Sequence, residues 1–265
     1  MISWLDTRRA LLERSGRTFV PVRKTFVQTP RATAQDPRSL AGPLSEVVRR
    51  RDPRALQAYL MIIAATSSGE SEDGWSTTHP IMVWARAFGT TLSAERSSAA
   101  NAVSKILHRL EERNLIERSR RGRERRIRVG LLREDGSGRP YTRPNTRTDR
   151  WLRLDHAFWL DGWCDKLTLP GLAMLLVALH EKTGFRLPTE RVPEWYGWSA
   201  DTAERGLVEL EKHGILQKIQ RRRKEPLSSS GVGRVNEYYL LPPFGTADAA
   251  TLRAARVMSM IEVPS

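Results

Sequence analysis

Cysteine is nearly absent. The 265 residues include one, Cys164, which excludes an intrachain disulfide and makes a reducing compartment the expected setting. Long apolar runs are missing too. No stretch of about 18 apolar residues occurs, so no membrane partner or span is expected. The opening stretch MISWLDTRRALLER has no apolar segment of the secretory kind, and a cytoplasmic location is expected. No GxxxxGK[ST] loop is present, which argues against nucleotide hydrolysis. His79, His108, His156, His180 and His213 are scattered, with no HxH, HExxH or paired-cysteine spacing. No cofactor and no metal are therefore expected. Cys164 has only Lys166 as a nearby activating cation and reads as a structural thiol. With no catalytic constellation in view, the chain is not expected to be an enzyme.

Acids are the scarcer charge. Lys plus Arg number 44 against 30 Asp plus Glu, a net charge of +14 with a pI near 10.7. The excess is uneven. Residues 1–54 carry 12 basic and 5 acidic groups, residues 55–134 carry 13 and 9, and residues 135–154 carry 5 and 2. Residues 155–265 carry 14 of each. Such a balance speaks about partners: the N-terminal half is suited to a polyanion. The densest run is RLEERNLIERSRRGRERRIRV, residues 109–129, where Arg118, Arg120, Arg121, Arg123, Arg125, Arg126 and Arg128 surround Glu124.

The pattern that leads into this run occurs twice. Leu107, Leu110, Glu111 and Leu115-Ile116 match Leu207, Leu210, Glu211 and Ile215-Leu216 at a constant offset of 100. Gly74-Trp75 resembles Gly184-Phe185 at an offset of 110. Self-similarity on this scale means one structural unit used twice.

In the first copy, Asp52-Pro53 starts a helix carrying Leu56, Tyr59, Leu60 and Ile63. Thr78 is placed to cap a second helix that Gly89 ends. A third spans roughly 96–114, with Ala99, Val103, Ile106, Leu107 and Leu110 on one face. Strands are expected over 115–119 and 125–132, turning at Gly122. The second copy reads as helices at 169–182, 188–196 and 200–213, then strands at 215–220 and 235–241. WLRLDHAFW, residues 151–159, reads as a lead-in strand. Trp75, Trp84, Trp159, Trp163, Trp195 and Trp198 sit at element edges and read as packing groups.

Three helices followed by a two-stranded ribbon resemble the winged helix-turn-helix plan. The resemblance covers about 55–134 and 151–241 and rests on the order of the pattern. It implies a mainly α fold with small β-hairpins (α+β) and two tandem winged helix-turn-helix domains. The expected organisation is a basic N-terminal helix and extended arm (1–54), domain 1 (55–134), a linker (135–150), domain 2 (151–245) and a C-terminal helix (246–265). The sixteen linker residues, if extended, would span up to about 50 Å.

In such folds the third helix enters the major groove and the wing touches phosphate or minor groove. Base readout is then expected from Ser97, Ser98, Asn101 and Lys105, and from Thr202 and Arg205 in the second copy. Wing contacts are expected from Arg120, Arg121, Arg123, Arg125 and Arg126, and from Arg221, Arg222, Arg223 and Lys224. Glu95 and Asp201 would repel phosphates. The arm and linker offer Arg23, Lys24, Arg143 and Arg147, with the arm docking on DNA or on a protein partner such as an ATPase. The C-terminal helix either packs on the second module or makes a homodimer.

Double-stranded DNA is the expected partner, and the expected function is sequence-specific binding through both modules. Tandem winged helices without a sensor domain resemble iteron-type plasmid replication initiators, partition adaptors and winged-helix regulators. A place on the nucleoid or a plasmid follows. The rival readings are a protein-interaction scaffold that contacts DNA through the first module only, and an RNA binder.

Overall fold

The arginine clusters take their places from two separately packed units, residues 1–166 and 167–265. The computed structural model describes residues 2–30, 40–66, 74–92, 96–122, 126–145, 149–227, 229 and 231–261. Among these residues no helix is long and apolar enough to cross a membrane. Among the described residues the fold mixes helices with three small antiparallel sheets.

Unit 1 opens with α1 (Trp4–Arg14), started by a capping box in which Ser3 and Asp6 satisfy each other's backbone N–H groups. Strand β1 (Phe19–Arg23) and a 3-10 turn over Lys24–Phe26 follow, then α2 (Leu44–Arg49). Helix α3 (Pro53–Ala65) begins where Asp52 accepts from the Ala55 N–H at 3.2 Å and Pro53 takes the first helical position. Its PRALQAYLMIIAA sequence is apolar on nearly every side, and Leu56, Tyr59, Leu60 and Ile63 are all buried. A helix of this composition belongs at the centre of a core. Then come β2 (Ser76–Pro80), α4 (Ile81–Ala87), α5 (Arg96–Glu112), β3 (Ile116–Arg121) and β4 (Arg126–Leu131). The unit closes with β5 (Trp151–Asp155), α6 (Ala157–Leu160) and α7 (Trp163–Lys166).

Unit 2 repeats the middle of that order. It has α8 (Leu169–His180), β6 (Phe185–Arg186), α9 (Val192–Tyr196), α10 (Ala200–Lys212), β7 (Leu216–Lys224), β8 (Val232–Leu240) and α11 (Ala249–Ile261). Each unit has a three-stranded sheet in which the last strand lies in the middle, β2-β4-β3 in one and β6-β8-β7 in the other.

The offset of 100 reappears in the backbone. Asn114 (φ 54°) and Gly214 (φ 68°) both adopt left-handed geometry just after their helices. The N–H of Leu115 returns to Leu110 O at 3.1 Å, and that of Ile215 to Leu210 O at 2.9 Å. The offset of 110 needs correcting. Thr77 pairs with Val129 where Phe185 pairs with Tyr238, so Phe185 corresponds to Thr77. Trp75 lies just before β2, where its carbonyl accepts the Leu131 N–H at 2.8 Å.

Four expectations change. Thr78 does not cap a helix; it lies within β2, opposite Arg128. The arm is not extended over its whole length: Lys24–Phe26 forms a 3-10 turn and Leu44–Arg49 a helix, while Phe19–Arg23 pairs with Trp151–Asp155 and Val20, Val22, Phe26 and Val27 are buried. The boundary at 150/151 moves to 166/167, because Arg8 binds Asp165 at 2.5 Å and the Ala87 carbonyl at 2.8 Å, tying α7 to α1 and α4. The described linker residues, 135–145 and 149–150, are not a free spacer. A fully buried Arg23 gathers Glu134 at 2.6 Å, Asp149 at 3.0 Å and the Thr142 carbonyl at 2.7 Å. Burial pushes the Glu134 carboxyl up; burial pushes the Arg23 guanidinium down, but its bonds to Asp149 and Glu134 outweigh this and hold it above the ordinary value. Trp84, Trp159 and Trp198 are buried packing groups.

In unit 2, α8 and α10 approach closely at Gly206, where a Cβ would overlap the Pro170 carbonyl and the Met174 side chain. Gly206→Ala is therefore expected to cost about 1–3 kcal/mol, read from urea denaturation. An unchanged midpoint would mean the helices can part without loss.

Candidate nucleic-acid interface

Helix α5 divides into two faces. Ala99, Val103, Ile106, Leu107 and Leu110 are buried, so the opposite face is left to solvent. Ser97, Ser98, Asn101 and Lys105 stand exposed on it, and the structure brings all four together on one side of α5. Ser104, half-buried, donates to Ala100 O at 3.2 Å, which uses its hydroxyl inside the helix.

An open groove runs between this face and the β3–β4 hairpin. Asn101, Ser104, Lys105 and His108 line one wall, and Arg118 and Arg120 line the other. The strand period explains the second wall. Ile116, Arg118 and Arg120 pair with Leu131, Val129 and Ile127 on the face turned toward α5. Ser119 pairs with Arg128 on the reverse face, and Arg121 is in backbone register with Arg126.

The like-charged run is tolerated because several arginines are neutralised within the fold. Arg118 binds Glu111 at 2.8 Å and donates to Ser104 O at 2.9 Å, clamping the strand to α5. Arg128 binds Glu117 at 2.8 Å. At the far end of α5, Arg109 and Arg113 reach Asp52 at 2.7 and 3.1 Å. Burial pushes the Asp52 carboxyl up, but its bonds to Arg109 and the Ala55 N–H outweigh this and hold it below the usual range. Arg120 remains exposed in the groove, and Arg126 is exposed on the reverse face. Arg123 and Arg125 lie outside the described residues, as does Glu95.

The matching groove of unit 2 has different chemistry. Glu204, Val208 and Glu211 of α10 form one wall, and Lys218, Arg234 and Asn236 are on the other. Thr202 shares a hydrogen bond with the Ser199 hydroxyl at 2.9 Å, and Arg205 binds Asp201 at 3.0 Å. Where α5 offers Asn101, Ser104, Lys105 and His108, the offset of 100 puts Asp201, Glu204, Arg205 and Val208.

Arg221 is a correction to the expected wing. Its side chain is 12 % exposed and bonded to Glu237 at 2.5 Å, because residues 219 and 221 share the ribbon face that turns inward. Burial pushes Glu237 up, but its bonds to Arg186, Tyr239 and Arg221 hold it below the usual carboxylate range. Arg222 is exposed and opposite Arg234. Arg223 and Lys224 belong to β7, in register with Gly233 and Val232.

Of the arm and linker residues, Arg23 is removed from the interface because it is wholly buried among acids. Lys24 is half-buried in a turn whose N–H binds Arg150 O at 2.9 Å. Arg143 is exposed, and Arg147 lies outside the described residues. The Arg118 clamp and His108 were not singled out in the sequence. The signal for the clamp was Glu111, an acid seven residues upstream among arginines. No family model, curated protein or solved structure matches the chain.

Proposed function

We propose that the chain is a sequence-specific double-stranded DNA-binding protein, built on two winged-helix units, that reads bases through unit 1. One observation carries this reading. The groove joins Asn101 and Lys105 of α5 to Arg120 of the adjoining hairpin, so hydrogen-bonding groups and a phosphate-binding cation face the same space. Asn pairs with adenine and Lys with guanine along the major-groove edge, while arginine grips the backbone.

The same sheet order in both units supports the winged-helix reading. The acids of α10 make the corresponding face of unit 2 a poor match to phosphate, so base reading is assigned to unit 1. A cytoplasmic site on the nucleoid or a plasmid fits this role. As a regulator, the protein would protect one operator; as a plasmid replication or partition factor, it would protect tandem repeats.

The test is selection from a random duplex pool by the full chain, followed by Asn101→Ala. The substitution is expected to cost about 1–3 kcal/mol on the preferred site and much less on unrelated duplexes. Equal losses on every sequence would remove Asn101 from base reading. Tighter binding to structured RNA than to any duplex would overturn the proposal.

A further inference from the structure

Two exposed valines in unit 2 sit in complementary surroundings. Val208 on α10 is 62 % exposed, and Val257 on α11 is 54 % exposed. Glu204 lies one turn before Val208 and Glu211 nearly one turn after it. Arg253 lies one turn before Val257. Glu204 and Arg253 are exposed, and neither makes a hydrogen bond or ion pair among the described residues. One helix thus offers acid and valine at i and i+4, and the other offers arginine and valine at the same spacing.

We propose that α11 of one copy docks on the α10 face of a second copy, with Arg253 against Glu204 and Val257 on Val208. The ribbon geometry fixes the kind of assembly. Tyr238 and Asn236 line the groove with α10, whereas Ile219 and Tyr239 pack with Ala255 and Leu252 of α11. The two patches therefore lie on opposite faces of the β7–β8 ribbon. After one contact, each pair of copies still presents one patch of each kind. The contact is heterologous, so it extends into longer oligomers or closes as a ring. Lys218 and Arg234 on the strand wall repel an incoming arginine and keep the docked helix on the α10 side. Duplex binding through unit 1 does not enter this argument.

Sedimentation velocity of the full chain tests it. The mean mass rises with protein concentration at about 0.05 M salt and falls toward the monomer at about 0.5 M. Glu204→Arg and Arg253→Glu each weaken the association about tenfold or more, because each brings like charges together. An equal mixture of the two variants recovers it, since every α10–α11 contact can then pair opposite charges. Thermal unfolding of both variants stays unchanged, as both side chains are exposed. A monomer at every concentration would overturn the proposal. So would variants that associate like the parent, or a mixture no tighter than either variant alone. Any of these results leaves the duplex-binding reading standing.

Discussion

Arg23→Ala lowers the unfolding free energy of unit 1 by about 3–5 kcal/mol in urea denaturation. The guanidinium is wholly buried and holds Glu134 at 2.6 Å and Asp149 at 3.0 Å. Removing it leaves the Glu134 carboxylate buried without its cation, and that uncompensated charge dominates the loss. It also releases Glu134, Thr142 and Asp149 from β1. The pH dependence has a definite sign. Burial already pushes the Glu134 carboxyl above its ordinary value, and Arg23 is what opposes this. Without Arg23 the folded-state value climbs further, so folding takes up a proton. The variant's deficit is therefore largest above that raised value and shrinks as pH falls through it toward the ordinary carboxylate range. Glu134→Gln in the Arg23→Ala background should recover much of the stability, because a neutral amide costs less to bury. A loss below about 1 kcal/mol, or one that grows toward acid, would show that the pair does not hold the segment.

Lys105→Ala combined with Arg120→Ala weakens duplex binding more than any single substitution in the groove. Both cations are exposed on facing walls of the same channel. Arg120 on the backbone releases about one counterion and the Lys105 charge beside guanine adds up to one more, so the slope of log affinity against log salt flattens by about one to two. At about 0.1 M salt the affinity for every duplex falls, and the preferred site loses most, about tenfold or more, because Lys105 also reads a base there. Neither side chain supports the core, so the melting temperature stays unchanged. An unaltered slope would mean that DNA, if bound, lies elsewhere.

The repeated core was legible because it is written in local periodicity. Val103, Leu107 and Leu110 recur at helical spacing, and the return from Leu115 to Leu110 is matched by that from Ile215 to Leu210. The exposed set of Ser97, Ser98, Asn101 and Lys105 follows from the same arithmetic, since fixing the buried face fixes its opposite. What was not legible depends on distance along the chain. Arg23 meets Glu134 across 111 residues and Asp149 across 126, and no local pattern announces such a partner. Strand β2, STTHP, has no apolar alternation, and pairing with β4 decides its conformation. Arg221 and Arg222 look alike in sequence, yet strand alternation binds one to Glu237 and leaves the other exposed.

The central claim is that the α5 face of unit 1 lies against the bases, and the chain's one thiol makes a direct test practical. Burial pushes the Cys164 thiol up to about 12 despite the nearby Arg8, which keeps it unreactive toward thiol reagents near neutral pH. An iron chelate attached at Ser98→Cys in the full chain would generate hydroxyl radicals beside the duplex. Strand cleavage is expected at a few adjacent nucleotides inside the selected site, and the same reagent at Asp201→Cys is expected to cut that segment far less. Cleavage from Asp201→Cys with none from Ser98→Cys, or none from either while the duplex stays bound, would contradict the account.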